Sequence, residues 1–484
     1  MPPKHQLITL LAACFVSSCT IGPDYIKPAI PVKKQFAEQL EITQRAAEAD
    51  SSLATWWQSY NDPQLTRFVS LALQQNLQLA EANARIEQAK ARLGLAHAAQ
   101  LPSGNIAGQA ARAYQSVETP LGQVLNSTPD YDRYGNSYEA NLGIGWELDL
   151  FGSLRHEKAA AFADYEAAEA STVATSLAVA AQTADVYINI RGLQARLDIA
   201  HRQLKTHQAL LSNLQLLFGK GLIAELEVYQ AESALAQAKA AVAALQSGLL
   251  QAMNALDVML GTQPGTHRQE LSATTPLPTV PAIKNMGTPR DLLQRRPDLI
   301  VAERRLASSN AQIGQAMAEF YPKFSLNGLI GSASTDSASK LFGNGSSQAS
   351  SALGLRWRLF DFGRINAQID QAMGLEAELL AAYRLATLRA TAEVENAFTE
   401  LLQLEQQAEV LGQGENALNS ARAASSAAYQ RGVVSQIEVL RSDEQWLRMS
   451  DARLQAQIAA VRASISTFKA LGGGWDSNTG RTSS

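Results

Sequence analysis

The chain has 484 residues, 46% of them hydrophobic and only 6% aromatic, and its 41 basic and 45 acidic side chains leave a formal net charge of −4. That balance lacks the basic stripe a nucleic-acid binder needs to neutralise phosphate, and the composition is neither disordered nor collagenous. The 16 prolines fall unevenly, with none between Pro129 and Pro264 and none after Pro322. Interior proline breaks a helix at a cost of about 3 kcal/mol, so two long proline-free spans point to very long helices and away from compact globular domains.

At the amino terminus Lys4-His5 precedes Leu7-Ile8-Thr9-Leu10-Leu11-Ala12-Ala13, and small residues lead on to Cys19. This reads as a secretory signal over residues 1–18, too short for a membrane-spanning helix of ~20 apolar residues. Cys14 and Cys19 are the two cysteines, so no disulfide framework is expected. The run before Cys19 resembles a bacterial lipoprotein signal, which implies a covalent lipid on Cys19 as the first mature residue. Leu11-Ala12-Ala13-Cys14 fits the same pattern, but cleavage there leaves too short an apolar region. Thr20 follows Cys19 where an aspartate would imply inner-membrane retention, so the resemblance points to the outer membrane. Residues 19–63 then form an extended amino-terminal segment in which Trp56-Trp57 is expected to pack.

Residues 64–263 read as the first copy of a repeat: a helix, a β-hairpin, a long helix and a returning helix. A weaker strand near Ile106 to Tyr114 precedes Tyr138-Glu-Ala-Asn-Leu142-Gly-Ile144-Gly-Trp146-Glu-Leu148-Asp-Leu150, which alternates apolar and polar for thirteen positions. Period two over that length is a strand with one apolar face. Ser153 to Phe218 follows as one helix, ~100 Å long at 1.5 Å per residue. Its seam of Val186, Ile190, Leu193, Leu197, Ala200, Leu204, His207, Leu211, Leu214 and Phe218 keeps the four-three spacing of a coiled coil, as does Val228 to Met259 beyond it. Gly219-Lys220-Gly221 reverses the chain between them.

A proline-rich linker, 264–289, leads to the second copy, 290–471, before a tail of 472–484. Trp146 and Phe151-Gly152 are answered by Trp357 and Phe362-Gly363, and Gly221 and Glu227 by Gly432 and Glu438, all at an offset of 211 residues. Leu101-Pro102 is answered by Tyr321-Pro322 at an offset of 220, so nine extra residues must lie in a loop between Pro102 and Trp146. The second hairpin is expected near Phe324 to Ile330 and Leu353 to Leu359, and Arg431-Gly432 makes the second turn. The fold class is therefore mainly α with a small β part, a tandem repeat of long coiled-coil helices forming an α-barrel. Strands of ~9–11 residues with alternating polarity suit a membrane β-barrel. Four strands cannot close one, and open edges are not tolerated in lipid, so several chains must share it.

In this order, Cys19 with Gly22-Pro23-Asp24-Tyr25, Trp56-Trp57, Asp62-Pro63, Leu65 and Asn76, then Leu292-Leu-Gln-Arg295-Arg296-Pro297-Asp298, Ala302-Glu303, Asn310-Ala-Gln-Ile-Gly314, Phe320-Tyr-Pro322 and Leu359-Phe-Asp361-Phe-Gly363-Arg364 resemble TolC-like outer-membrane efflux proteins, specifically the lipoprotein branch serving resistance-nodulation-division pumps. The resemblance implies a homotrimer whose twelve strands form a barrel in outer-membrane lipid and whose helices form a periplasmic tunnel. It also implies a passive exit duct opened by an inner-membrane pump and a periplasmic adaptor.

The two helix turns are the candidate gate, since a narrowed ring of charged or hydrogen-bonding groups restricts passage. Glu227 and Glu438 hold equivalent positions, and Lys220 and Arg431 are basic neighbours. Tyr429 and Glu438 match aromatic and acidic positions of the family's turn. Arg441 stands where relatives often carry a second acid, with Asp443 two residues on. Trp146 and Trp357 are candidates for an interfacial aromatic girdle. The six histidines lack metal-ligand spacing, and no phosphate-cradling loop, HExxH or GxSxG is present. No enzyme activity, metal or cofactor beyond the lipid is therefore expected. The alternatives are an exit duct for a type I protein secretion system and a pore-less structural coiled coil of the periplasm.

Overall fold

The computed structural model describes residues 20–45, 52–283 and 286–475. Cys14 and Cys19 lie outside these described residues. A short helix α1 (Gln39–Gln44) and a 3-10 stretch (Leu53–Tyr60) precede α2 (Pro63–Gln75) and α3 (Leu77–Ala98). Asp62 starts α2 by accepting from the amides of Gln64 and Leu65, and Pro63 sits at the first helical position, where its missing N–H removes no helical bond. Next come β1 (Ser103–Tyr114), α4 (Pro120–Asn126), β2 (Tyr134–Leu148), α5 (Ser153–Gly219) and α6 (Glu225–Met259). A largely extended linker leads to α7 (Pro289–Arg295), α8 (Pro297–Ala318), β3 (Lys323–Ser334), β4 (Ser347–Arg356), α9 (Arg364–Gln430) and α10 (Gln436–Ala470).

The repeat holds residue by residue. Helices α5 and α9 both have 67 residues, α6 and α10 both have 35, and each pair starts 211 positions apart. Helices α3 and α8, like strands β1 and β3, are offset by 220 at both ends. Hairpin register is shared as well: Ser103 opposes Gly145, and its counterpart Lys323 opposes Arg356. Between the equivalent pairs Arg112–Asn136 and Ser332–Ser347, the first loop is longer by the nine residues expected.

Among the described residues the strands form one antiparallel sheet in the order β1-β2-β3-β4, with β1 and β4 at its edges. The pairing of β2 with β3 joins the two repeats. Two boundaries differ from expectation. Strand β2 stops at Leu148, short of Leu150, and β4 stops at Arg356, short of Leu359. The second difference has a plain cause. Trp146 to Leu148 continue as strand by pairing with Leu326 to Phe324, whereas the equivalent Trp357 to Leu359 have no strand of this chain beside them.

By contact the chain divides into two compact units. Among the described residues the first takes Thr20–Pro28, Glu87–Glu166 and Glu303–Ala381, and so holds the sheet. The second takes the described residues of Ala29–Ile86, Ala167–Ala302 and Ala382–Trp475. Each unit draws on both repeats. In the second unit Trp56 is fully buried and stacks on Phe468 at 5.4 Å, beside Leu65, Phe68, Tyr187, Val394, Phe398 and Leu401. Buried Arg191 fastens the linker and α2 to α5: its guanidinium donates to Tyr187 Oη, Gln194 Oε1, the Ala273 carbonyl and Gln64 Oε1. Tyr187 in turn donates to Asp62 Oδ2 at 2.8 Å, and burial pushes its hydroxyl up to about 12. No helix among the described residues is long and apolar enough to cross a membrane.

Candidate functional site: the helix turns and the strand faces

The two turns of the second unit are built alike. At the end of α5 the Gly221 amide donates to the Phe218 carbonyl and the Leu222 amide to Leu217. At the end of α9 Gly432 donates to Tyr429 and Val433 to Ala428. This paired closure satisfies carbonyls left over at a helix end, and it needs a left-handed residue, which Gly221 (φ +71°) and Gly432 (φ +76°) supply. Leu210, Leu214 and Ala231 form a small buried cluster lined by Leu211, Ile223, Ile437 and Leu440, so residues beside the two turns share one apolar core.

The shared geometry gives each candidate side chain a fixed place. Lys220 and Arg431 directly follow the last residues of α5 and α9, both exposed, where a cation complements the helix dipole. Glu227 and Glu438 occupy the third position of α6 and α10, where a carboxylate faces the positive helix end; Glu227 is half-buried and Glu438 exposed. Ser435 caps α10 by accepting from the Glu438 amide at 3.3 Å, whereas its counterpart Ala224 provides no such group. Tyr429 is 43% exposed and Arg441 is exposed. Tyr429 and Glu438 make no hydrogen bond with each other within the chain. Phe218, expected in the apolar seam, is 43% exposed because the seam ends at the turn.

The polar grip near the second turn lies elsewhere than the candidate residues. Arg422 of α9 pairs with Asp443 of α10 and covers the Trp446 ring at 4.6 Å. Further along the same helices Glu415 accepts from Arg453 at 2.6 Å and from Ser450 at 2.5 Å. Burial works to raise the Glu415 carboxyl, but these donors outweigh it and hold it below the usual carboxylate range. The first-copy counterparts of Glu415, Arg422 and Arg453 are Leu204, Leu211 and Val242. One helix pair is thus joined by charge where the other carries apolar residues. His207, expected as buried seam packing, is buried with Nε2 3.8 Å from Glu444. In the first turn Tyr229 donates to Glu225 at 2.7 Å. Reading the sequence missed these partners because most join different helices; their signal is the run of charges flanking the α10 seam.

In the first unit the sheet separates two chemistries by strand parity. Tyr138, Leu142, Ile144, Trp146 and Leu148 share a face with Phe324, Leu326 and Ile330 of β3 and with Leu353 and Leu355 of β4. Glu139, Asn141, Glu147, Asn327, Gln348 and Arg356 take the other. Both faces stay largely accessible in the single chain. Tyr138 and Trp146 are eight residues apart, about 27 Å along the strand at ~3.4 Å per residue, close to the height of a barrel's apolar band. Trp146 is 37% exposed and its indole N–H donates to the Gln100 carbonyl at 2.9 Å; Trp357, 53% exposed, donates to Phe320 at 2.9 Å. Each indole therefore ties the end of a hairpin to the turn just before that hairpin, after α3 in the first copy and after α8 in the second. At the far end Tyr114 and Tyr134 lie 4.8 Å apart under Arg133 and Arg112, an aromatic group that the sequence reading did not single out.

No group of histidine, cysteine, aspartate and glutamate among the described residues is arranged to hold a metal. The chain is 29% identical over 489 residues to the outer membrane protein OprJ of Pseudomonas aeruginosa, covering 98% of this chain and 97% of that one. It is 29% identical to the toluene efflux pump outer membrane protein TtgI of Pseudomonas putida, covering 98% and 99%. The fold matches the outer-membrane channel OprN with a TM-score of 0.82 at 28% identity, over 94% of this chain and all of that one. The family model described as outer membrane efflux protein matches residues 68–262 and 288–473, one match per repeat. The chain belongs to the outer membrane efflux protein family.

Proposed function

We propose that this protein is the outer-membrane channel of a tripartite efflux system, a passive exit duct for small molecules handed on by an inner-membrane resistance-nodulation-division pump and a periplasmic adaptor. The observation that carries this reading is the single four-stranded sheet with one apolar face, aromatic side chains at both ends of that face, and two unpaired edges. Exposed strand edges in hydrocarbon leave backbone groups unsatisfied, so the sheet is one part of a barrel shared between copies; three copies give twelve strands. TtgI is named for toluene efflux, which fits a duct for small molecules.

Cys19 carries the lipid in this proposal. Its neighbour Thr20 accepts from Arg155 at 2.9 Å, and Ile21 donates to the Phe151 carbonyl, so the chain after Cys19 meets the elbow between β2 and α5. That elbow lies beside Trp146, at the foot of the apolar band, where an acyl chain reaches the membrane. The gate consists of the two turns, with Lys220, Glu227, Tyr429, Arg431, Glu438 and Arg441 as the groups a passing molecule or the adaptor meets.

Deletion of the gene in a strain that keeps its pump is expected to raise dye accumulation several-fold, and the purified protein is expected to conduct in planar bilayers. Silent bilayers from folded oligomers, together with unchanged dye accumulation, would sink the proposal. Tyr429→Phe combined with Glu438→Gln is expected to raise resting conductance. Unchanged conductance from intact oligomers would remove those two residues from the gate.

A further inference from the structure

The loop end of the first hairpin holds four side chains that its repeat lacks. Tyr114 and Tyr134, the last pair of β1 and β2, have ring centroids 4.8 Å apart. The Arg112 guanidinium lies 5.2 Å from the Tyr134 ring centroid, and that of Arg133 lies 4.2 Å from the Tyr114 ring centroid. The second-copy counterparts of Arg112, Tyr114, Arg133 and Tyr134 are Ser332, Ser334, Asn344 and Gly345. The second hairpin keeps the same register without them, so closing a hairpin does not require this group. We infer that the two arginines and two tyrosines bind the phosphate of a lipid headgroup in the outward-facing leaflet of the outer membrane. This rests on the shared-barrel reading above and names a ligand for the outer end of its lipid face.

Depth places the group among headgroups. Arg112 lies opposite Asn136 and so shares the face of Tyr138, Leu142, Ile144 and Trp146. It stands two residues, about 7 Å of strand, beyond Tyr138 at the far end of the apolar band. Helices α3, α5, α8 and α9 all join the strands at the opposite end, which sets Arg112 on the side of the membrane away from them. An arginine on the lipid face of a barrel is costly at the bilayer midplane and nearly free at the interface. Charge complementarity then selects the occupant. Among the described residues neither guanidinium has an ion pair: Asp132 accepts from the Tyr134 amide at 2.9 Å, and Glu118 and Asp130 of the same loop pair with neither arginine. Arg133 gives its Nε–H to the Gln115 carbonyl at 3.2 Å, while exposed Arg112 has no hydrogen-bond partner among the described residues. A guanidinium resting over a ring spends its face there and keeps the N–H groups of its edge, a planar fork that fits two phosphate oxygens. Tyrosine suits the same level, with its ring in the apolar layer and its hydroxyl in water. Below the group the face continues through Ala110 to Ile106, 84% exposed, which gives the acyl chains of the same lipid an apolar surface that a free phosphate could not use.

Native mass spectrometry of the purified oligomer of the full chain, titrated with bisphosphorylated lipid A, tests the site. The unsubstituted protein is expected to retain lipid A, and Arg112→Gln combined with Arg133→Gln to weaken that retention about tenfold. Arg356→Gln, on the opposite face of the sheet, is expected to leave it unchanged, as is an excess of inorganic phosphate. Both variants are expected to conduct in planar bilayers like the unsubstituted channel, which shows that their barrels have formed. Retention that survives the double substitution in conducting oligomers overturns the site and leaves the channel reading in place. Equal retention of lipid A stripped of its phosphates, or displacement by inorganic phosphate alone, overturns the site in the same way. Folded oligomers that neither conduct nor retain lipid A overturn both readings.

Discussion

Glu303 is 3% exposed and sits between Arg304, which donates to both of its oxygens at 2.7–2.8 Å, and the Tyr25 hydroxyl at 2.6 Å. Burial works to raise its carboxyl, but these donors together with Lys27 outweigh it and hold it below the ordinary carboxylate range. A group depressed on folding contributes stability above its unfolded pKa, and that contribution is lost as pH falls through the folded value. Thermal midpoints in detergent are therefore expected to fall on acidification below about pH 4.3, the ordinary glutamate value, and to fall less in Glu303→Gln. Glu303→Gln itself is expected to cost about 1–3 kcal/mol at neutral pH. A second residue effect belongs to the turns. Gly432→Ala meets no atom within 4 Å but must hold a φ of +76°, so it is expected to cost about 1–2 kcal/mol of unfolding stability and leave the fold intact.

Helices show where reading the sequence succeeded and where it stopped. The unbroken offset of 211 predicted two long helices of equal length, and α5 and α9 match residue for residue because intervening insertions would have shifted the later glycine turns. The end of β4 was not legible, since the alternation of Leu353 to Leu359 states which face a residue takes and not whether a partner strand lies alongside. Arg422 with Asp443 was equally hidden, because a charge on a helix flank does not name its partner on the next helix. Comparison of the copies also exposes a missing cap. Ser435 caps α10, whereas Ala224 holds the capping position before α6, with Glu227 already in place for a reciprocal pair. Ala224→Ser is expected to stabilise the protein by about 0.5–1 kcal/mol, measured as a raised midpoint in chemical unfolding.

At the scale of the whole molecule, the fold class and the need for shared closure could be read from strands that alternate but number too few. The path of the amino-terminal segment could not, because it depends on close backbone approach. Gly22 lies against Gly314, where a Cβ at residue 22 would come 2.6 Å from the Gly314 Cα, and His156 Nε2 donates to the Ile21 carbonyl at 2.7 Å. Gly22→Ala is expected to lift this segment from α5 and α8, read as faster proteolysis between residues 20 and 28, while bilayer conductance stays unchanged. The loop before β2 contains α4, capped by Thr119 through the Gly122 amide, with Leu121 and Val124 exposed; the loop before β4 is shorter and has only a single 3-10 turn at Ala338–Lys340. In the proposed ring of three copies, long and short caps would alternate around the rim these loops form. Helices and strands follow a near-sixfold repeat, but anything that recognises that rim would count three docking places.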